Sequence, residues 1–420
     1  MVEVRDPIEV SEAVKRVMKH KQRGEVESVS FHDSDWRRLA EPVLATNDVP
    51  SFDKSPYDGF ALRAEDTKGA SPENPVRLKV IEHIGAGVLP EKDISSGETT
   101  RIMTGAQIPE GANCVEMFEK VKETKEDGET YIVITHEMES GQNIIEKGSE
   151  IKNRTPLIEV GTLIDPGVKA SLATFGYSEV RVAKKPVVGV VATGTELLDV
   201  DEPLEPGKIR NSNAYMICSQ IERAGAEAKY LGTLPDDLKL SFEAIQAALT
   251  KVDILISTGG VSVGDFDHLP AIYEKLGANI LFNKVAQRPG SVTTVAEKDG
   301  QLLFGLSGNP SACFVGFELY TRPIIEYALY SNRPYLPRIQ AKLAEDFPKK
   351  NPFTRFVRTF VTYEGNEVFV HLAGMDKSNV VTSLAHTTSL MVLPAGTEGF
   401  QKGDLVDVLL VDSFAGQEQF

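Results

Sequence analysis

VDILISTGGVSVGDFD, Val252 to Asp267, is the stretch on which the reading of this chain turns. An apolar run from Ile254 to Ile256 is cut off by Thr258, Gly259 and Gly260, and carboxylates follow at Asp265 and Asp267. That pattern is a buried strand emptying into a glycine loop. Glycines let a backbone come close to a charged group and turn several N–H donors toward it, while two aspartates can hold a divalent cation against that group. One reading is a nucleotide or phosphate site with magnesium. The other is a plain tight turn, and the neighbouring segments decide between them.

Working outward, strands and helices alternate from Pro186 to about Tyr330, which predicts a doubly wound, mainly parallel sheet covered on both faces. VVGVVATGTELL, Val187 to Leu198, reads as a strand, a Gly turn at Thr193 and Gly194, and then Glu196. NSNAYMICSQIERAGA is a helix with a cap at Asn211, Ser212 or Asn213, and the next strand ends at Asp236 and Asp237. NILFNKVAQRPG carries Lys284 and Arg288 beyond another strand. Units of this kind wind with one hand and place their strand carboxyl ends on one edge. Glu196, Asp236, Asp267, Lys284, Arg288 and Asn309 are therefore expected to converge on one cleft. In Ser307-Gly308-Asn309-Pro310, the proline suits the first helical position. Asn309 then becomes the N-cap, and the helix end offers N–H groups and a positive dipole end to a phosphate.

The flanks read differently. Val10, Val14, Val17 and Met18 form one helical stripe with Ser11 as a cap, a linker or dimer-contact helix. VPSFDKSPYDGFALRAED, Val49 to Asp66, is a loop pinned by Phe52, Tyr57 and Phe60. Short alternating runs between Gly97 and Thr135 describe a small β-rich domain inserted into the N-terminal linker region. RTFVTY, VFVHL, LMVLP and LVDVLLV, in the stretch Pro334 to Phe420, predict a C-terminal β-barrel or sandwich. The domains expected are 1–48 with 138–184, the inserted 49–137, the α/β part 185–332, and the β part 333–420.

Composition sets limits on partners. Of 420 residues, 45 are basic and 61 acidic, a formal charge of −16. Such a chain is a poor general partner for nucleic acid or anionic lipid, so an anionic substrate must meet a local cluster of Lys and Arg. Cys114, Cys218 and Cys313 are far apart and form no CxxC pair, which argues against a disulfide framework or zinc site and fits a reducing cytoplasm. No window approaches about 18 consecutive apolar residues, so neither a membrane span nor secretion is expected.

The ordered set FDKSPYDGFA, RIMTGAQIPEGAN, GQNI, ATGTELL, STGGVSVGDFD, RPG and GLSGNP resembles the molybdopterin molybdenumtransferases, the family to which the E domain of gephyrin and its plant counterpart belong. The resemblance covers nearly the whole chain. It implies a homodimer of four-domain subunits and insertion of molybdate, or tungstate, into the dithiolene of adenylylated molybdopterin, with Mg²⁺-dependent loss of AMP. It further implies contact with a molybdopterin adenylyltransferase. Asp236 and Asp267 become the magnesium ligands, with Glu196 nearby, and Lys284 and Arg288 the oxyanion cations. Carried over by motif, Thr193, Gly194, Ser257, Gly259, Gly260, Ser262, Gly264, Ser307, Gly308, Asn309 and Pro310 line the nucleotide-pterin cleft. Asp58 and Thr104 reach it from the inserted domain of the partner subunit, and Arg355 or Arg358 with Ser378 mark the molybdate and pterin region.

The chain departs from that pattern at several positions. Arg288 stands where lysine is usual, and Ser291-Val292 replaces Lys-Pro. Asn113 and Glu150 stand for aspartates, and Lys377 for a glycine. Two alternatives share much of the pattern: an enzyme limited to the adenylylation step, and a non-catalytic scaffold of the same fold.

Overall fold

In the computed structural model, which describes residues 6–235, 237–260 and 269–412, the apolar run at Ile254 forms the strand Ile254–Thr258, buried along its whole length. The burial is two-sided. Ile254 and Ile256 enter one core with Val188 and Val190, whereas Leu255 enters a second with Val191 and Leu303. A strand covered on both faces needs a continuous apolar run rather than an alternating one.

Six strands lie in the order Glu227–Leu234, Val187–Thr193, Ile254–Thr258, Gln301–Leu306, Thr294–Lys298 and Asn279–Phe282. The first four pair in parallel and the last two join antiparallel, so the expected sheet is present with a mixed edge. Three helices start at positions the sequence marks. Asn211 caps Ser212–Arg223 by accepting the Ala214 N–H at 3.1 Å, and Asp237 caps Leu238–Leu249 by accepting from Leu240 at 2.8 Å. Asn309 occupies the cap position of Pro310–Gly316 with Pro310 in the first turn. That helix runs on through a π turn, Phe317–Thr321, into Arg322–Ala328.

The N-terminal helix, Val10–Met18, buries Val10, Ala13, Val14 and Val17 in the first of these cores. Its cap position is Glu9 rather than Ser11, and Glu9 makes no side-chain cap bond. Val10 is drawn into the core, so the helix starts before the serine can cap it. Beyond the central sheet, Arg338–Leu343, Thr354–Glu364, Glu367–Leu372, Ser389–Leu393 and Leu405–Leu410 close on themselves as a five-stranded barrel. Closure removes the exposed edges that an open sheet of this size would carry. A two-residue strand, Gln287–Arg288, pairs in parallel with Thr354 and Arg355 at the barrel's rim. The central sheet and barrel belong to one unit of the chain, made of Met1–Glu41, Val160–Lys169 and Ser178–Phe420.

Pro42–Glu159 and Ala170–Tyr177 make the second unit. Its six-stranded sheet runs Cys114–Met117, Gly59–Leu62, Glu98–Ile102, Val76–Ile84, Glu129–Ile134, Lys122–Glu126. Gly59 lies opposite Met117, and a Cβ there would sit 2.1 Å from the Glu116 carbonyl oxygen. Backbone cannot yield as a side chain can. Gly59→Ala is expected to cost about 1–3 kcal/mol or more through overpacking. Calorimetric unfolding checks this as a lowered transition temperature, and an unchanged one would show that the strands separate freely.

Candidate active site

The carboxyl ends of the parallel strands open into a cavity of about 1000 Å³. Three backbone turns form its floor: Thr193-Gly194-Thr195-Glu196, Gly259-Gly260 and Ser307-Gly308-Asn309. Gly259 is required by geometry: it has φ +90°, and a Cβ on it would lie 2.6 Å from Thr193 Oγ1. Gly308 lies beside it, where a Cβ would make ordinary contact with the Gly259 Cα at 3.6 Å. The three turns therefore touch one another through backbone. Hydrogen bonds fix them in place: the Gly259 N–H donates to the Leu306 carbonyl at 2.9 Å, Thr193 Oγ1 donates to the Thr258 carbonyl at 3.2 Å, and Asn213 Nδ2 donates to the Gly308 carbonyl at 2.8 Å. Turns built this way present N–H groups and little side chain, the arrangement that receives a phosphate.

The opposite wall carries the charge. Arg288 and Arg355 are direct partners in the parallel pairing at the barrel rim, and both line the cavity. Arg288 is exposed, and among the described residues its side chain has no hydrogen-bond or ion-pair partner. Arg355 is held: its Nη1 donates to Asp376 Oδ2 at 2.9 Å and its Nε to Asn351 Oδ1 at 2.6 Å. Ser378, Asp376, Ser291 and Val292 complete this wall. On the sheet side Glu196 is exposed, its carboxylate close against Gly194.

Eleven of the residues expected at the site thus line one cavity: Thr193, Gly194, Glu196, Gly259, Gly260, Arg288, Ser307, Gly308, Asn309, Arg355 and Ser378. Others are placed elsewhere. Ser257 is buried in the strand below the turns, its Oγ 3.3 Å from the Tyr273 hydroxyl, whose pKa burial pushes up to about 12. Pro310 shapes the helix start without lining the cavity. Lys284 is not among the cavity-lining residues, and its carbonyl accepts the Ile8 N–H at 3.2 Å. Arg358 is buried behind the wall, where Nε donates to Ser383 Oγ at 2.8 Å and Nη2 to the Met375 and Lys377 carbonyls at 2.8 and 3.1 Å. Burial draws its pKa below the ordinary guanidinium value, and Asp376 opposes that shift.

Asp58 and Thr104 lie in the second unit, both exposed, with Asp58 Oδ1 accepting the Thr104 N–H at 2.8 Å. Asp236, Ser262, Gly264 and Asp267 lie outside the described residues. Among the described residues no group of three or more His, Cys, Asp or Glu side chains could hold a metal ion. Asp376 and Asn213 were missed by sequence reasoning. Asp376 offered only its place two residues before Ser378; Asn213 was visible as a cap candidate, not as a ligand for a carbonyl 95 residues away.

Fold and cavity together define a multidomain α/β protein with a cavity between the carboxyl edge of its sheet and the rim of a β-barrel. The chain matches the MoeA N-terminal region (domain I and II) over residues 8–176, a probable molybdopterin binding domain over 189–327, and the MoeA C-terminal region (domain IV) over 340–411. It is 54% identical over 418 residues to a molybdopterin molybdenumtransferase of Bacillus subtilis (strain 168), spanning 100% of this chain and 97% of that one. A Staphylococcus epidermidis protein of the same name is 49% identical over 420 residues, spanning 100% and 99%. A crystal structure of the molybdopterin biosynthesis MoeA protein from Pyrococcus horikosii superposes with a TM-score of 0.86 at 29% identity, covering 97% of this chain and 100% of that one. The chain belongs to the molybdopterin molybdenumtransferase family.

Gly259→Ala would force a side chain into left-handed backbone and against Thr193. Strain of about 1–3 kcal/mol at such a position corresponds to roughly ten- to a hundredfold weaker ligand binding. Titration calorimetry with AMP measures this, and wild-type affinity in the variant would show that the turns do not form the phosphate cradle.

Proposed function

We propose that this chain inserts molybdate, or tungstate, into the dithiolene of adenylylated molybdopterin and releases AMP, the last step of molybdenum cofactor assembly. The observation that carries the proposal is the single cavity in which phosphate-type backbone turns face two adjacent arginines. Its volume suits one large polar ligand. The anhydride phosphates lie on the turns, where N–H groups bind charge without a counter-ion. The oxyanion lies against Arg288 and Arg355, whose planar forks take two oxygens of an anion at once.

Magnesium is part of this proposal. The donor chemistry fits, because Mg²⁺ commonly takes one or two protein carboxylates and completes its shell with water and substrate phosphate. Glu196 supplies one hard oxygen within the cavity, and Asp236 and Asp267 follow in the sequence the two strands that flank Val187–Thr193 in the sheet. The ion would neutralise charge on the departing phosphate. We place the active assembly in the cytoplasm as a homodimer, with Asp58 and Thr104 entering from the second copy and the substrate handed over by a molybdopterin adenylyltransferase. Free thiols at Cys114, Cys218 and Cys313 support a reducing compartment, and no helix among the described residues is long and apolar enough to cross a membrane.

The test is AMP release from adenylylated molybdopterin in the presence of Mg²⁺ and molybdate. Release is expected to require both ions, and Arg288→Ala is expected to slow it by about a hundredfold, the usual cost of removing one stabilising donor. Consumption of ATP and bare molybdopterin without molybdate-dependent AMP release would assign the chain to the adenylylation step. No turnover with either substrate set would favour a scaffold.

A further inference from the structure

Arg355 reaches the cavity wall with its orientation already decided. Asn351 accepts from its Nε, and Asn351 cannot swing away: it is 1% exposed, its Nδ2 donates to Thr397 Oγ1 at 2.9 Å, and its backbone pairs with Thr397. The second hold is Asp376, whose side chain is 7% exposed. Lys349 Nζ donates to Asp376 Oδ2 at 3.0 Å and to its carbonyl at 2.7 Å. The loop behind it is tied down as well, because Ser311 N–H donates to the Ser378 carbonyl at 3.1 Å and Ser311 Oγ to the Val380 carbonyl at 3.0 Å.

These contacts have a directional consequence. A guanidinium has five N–H donors in one plane. With one on Asn351 and one on Asp376, that plane is fixed and both donors on Nη2 remain uncommitted among the described residues. The charge has a consequence too. Arg288 and Arg355 are neighbours across a strand pair, and Asp376 carries one negative charge that is shared between Arg355 and Lys349, reducing the positive charge on this wall before any anion arrives.

We propose that Asp376 is a positioning residue for the oxyanion: by holding the Arg355 guanidinium in one plane at the cavity wall, it sets the affinity for a tetrahedral dianion of the molybdate class. This rests on the reading of the site given above. Asp376 acts through Arg355 and needs no contact with substrate of its own.

The experiment measures molybdate-dependent AMP release in the wild type, Asp376→Ala, Asp376→Asn, Arg355→Ala and the Arg355→Ala/Asp376→Ala double variant. Asp376→Ala is expected to raise the molybdate KM about tenfold with kcat and the pterin KM within about twofold, the pattern of a lost binding interaction. Asp376→Asn still accepts a guanidinium N–H and is expected to keep the molybdate KM within about threefold of wild type. In the Arg355→Ala background, removing Asp376 should change the KM no further. An unchanged KM in Asp376→Ala, an Asn variant as impaired as the Ala variant, or a further loss in the double variant would each overturn the proposal. If Asp376→Ala loses the wild-type thermal transition, Asn351→Ser at the other hold must raise the same KM, and a wild-type value there overturns the proposal equally. Should the wild type itself release no AMP, the functional reading fails on its own. Calorimetric binding of molybdate to wild type and Asp376→Asn or Asp376→Ala then decides the role of Asp376 separately.

Discussion

Two residue pairs hold this site together. Gln287 pairs with Thr354 and Arg288 with Arg355, and this short parallel ladder joins a loop of the central domain to the rim of the barrel. Paired strands lie about 4.8 Å apart, so the ladder sets two guanidinium-bearing side chains side by side on one wall. Like charges at that spacing repel. The repulsion is reduced on one side by Asp376 and is left on the other, where Arg288 has no described partner. An anion that bridges the pair relieves it. Preorganised positive charge of this kind binds strongly because its cost has been met by folding rather than at the moment of binding.

The opposite wall depends on the absence of side chains. Thr193, Gly259 and Gly308 meet through backbone, and a methyl at Gly259 would fall within 2.6 Å of the Thr193 hydroxyl. Such contact is possible only where three strands end at the same level, which parallel pairing with right-handed crossovers guarantees. Sheet and barrel therefore contribute different chemistry. The sheet side presents oriented backbone dipoles of the kind that suit a phosphate, and the ladder at the barrel rim presents full charges of the kind that suit a compact oxyanion.

Much of this was legible because it rests on periodicity and chain topology. The continuous apolar run at Ile254, the alternation of strand and helix, and the Ser-Gly-Asn-Pro helix start all follow from local rules, and among the described residues Thr193, Gly194, Glu196, Gly259, Gly260 and Asn309 line one cavity. Lys284 shows where that logic stops. Its strand, Asn279–Phe282, runs in the same direction as the parallel strands, but it lies at the outer edge of the sheet, separated by Thr294–Lys298 from the strands whose turns floor the cavity. Arg355 and Arg358 illustrate a second limit. Successive side chains on a strand alternate faces, so residues three apart point to opposite sides; Arg355 lines the cavity and Arg358 is buried behind it, bracing the loop that carries Asp376. Asp376 itself was invisible because its meaning lies in a partner 21 residues away and in the burial that makes the pairing firm.

The kind of cation on this wall has a physical consequence. A lysine is a point charge on a flexible stem, and a pair of lysines can follow an anion of variable position. Here the wall carries Arg288, with Ser291 nearby, and Arg355. Their charge is carried by planar forks. Two planar forks on paired strands fix direction as well as charge, so recognition here rests on geometry as well as on charge number. That places more weight on whatever fixes the forks: the barrel's closure behind Arg355, the Asn351 and Asp376 holds on its guanidinium, and the two-residue ladder that keeps Arg288 beside it.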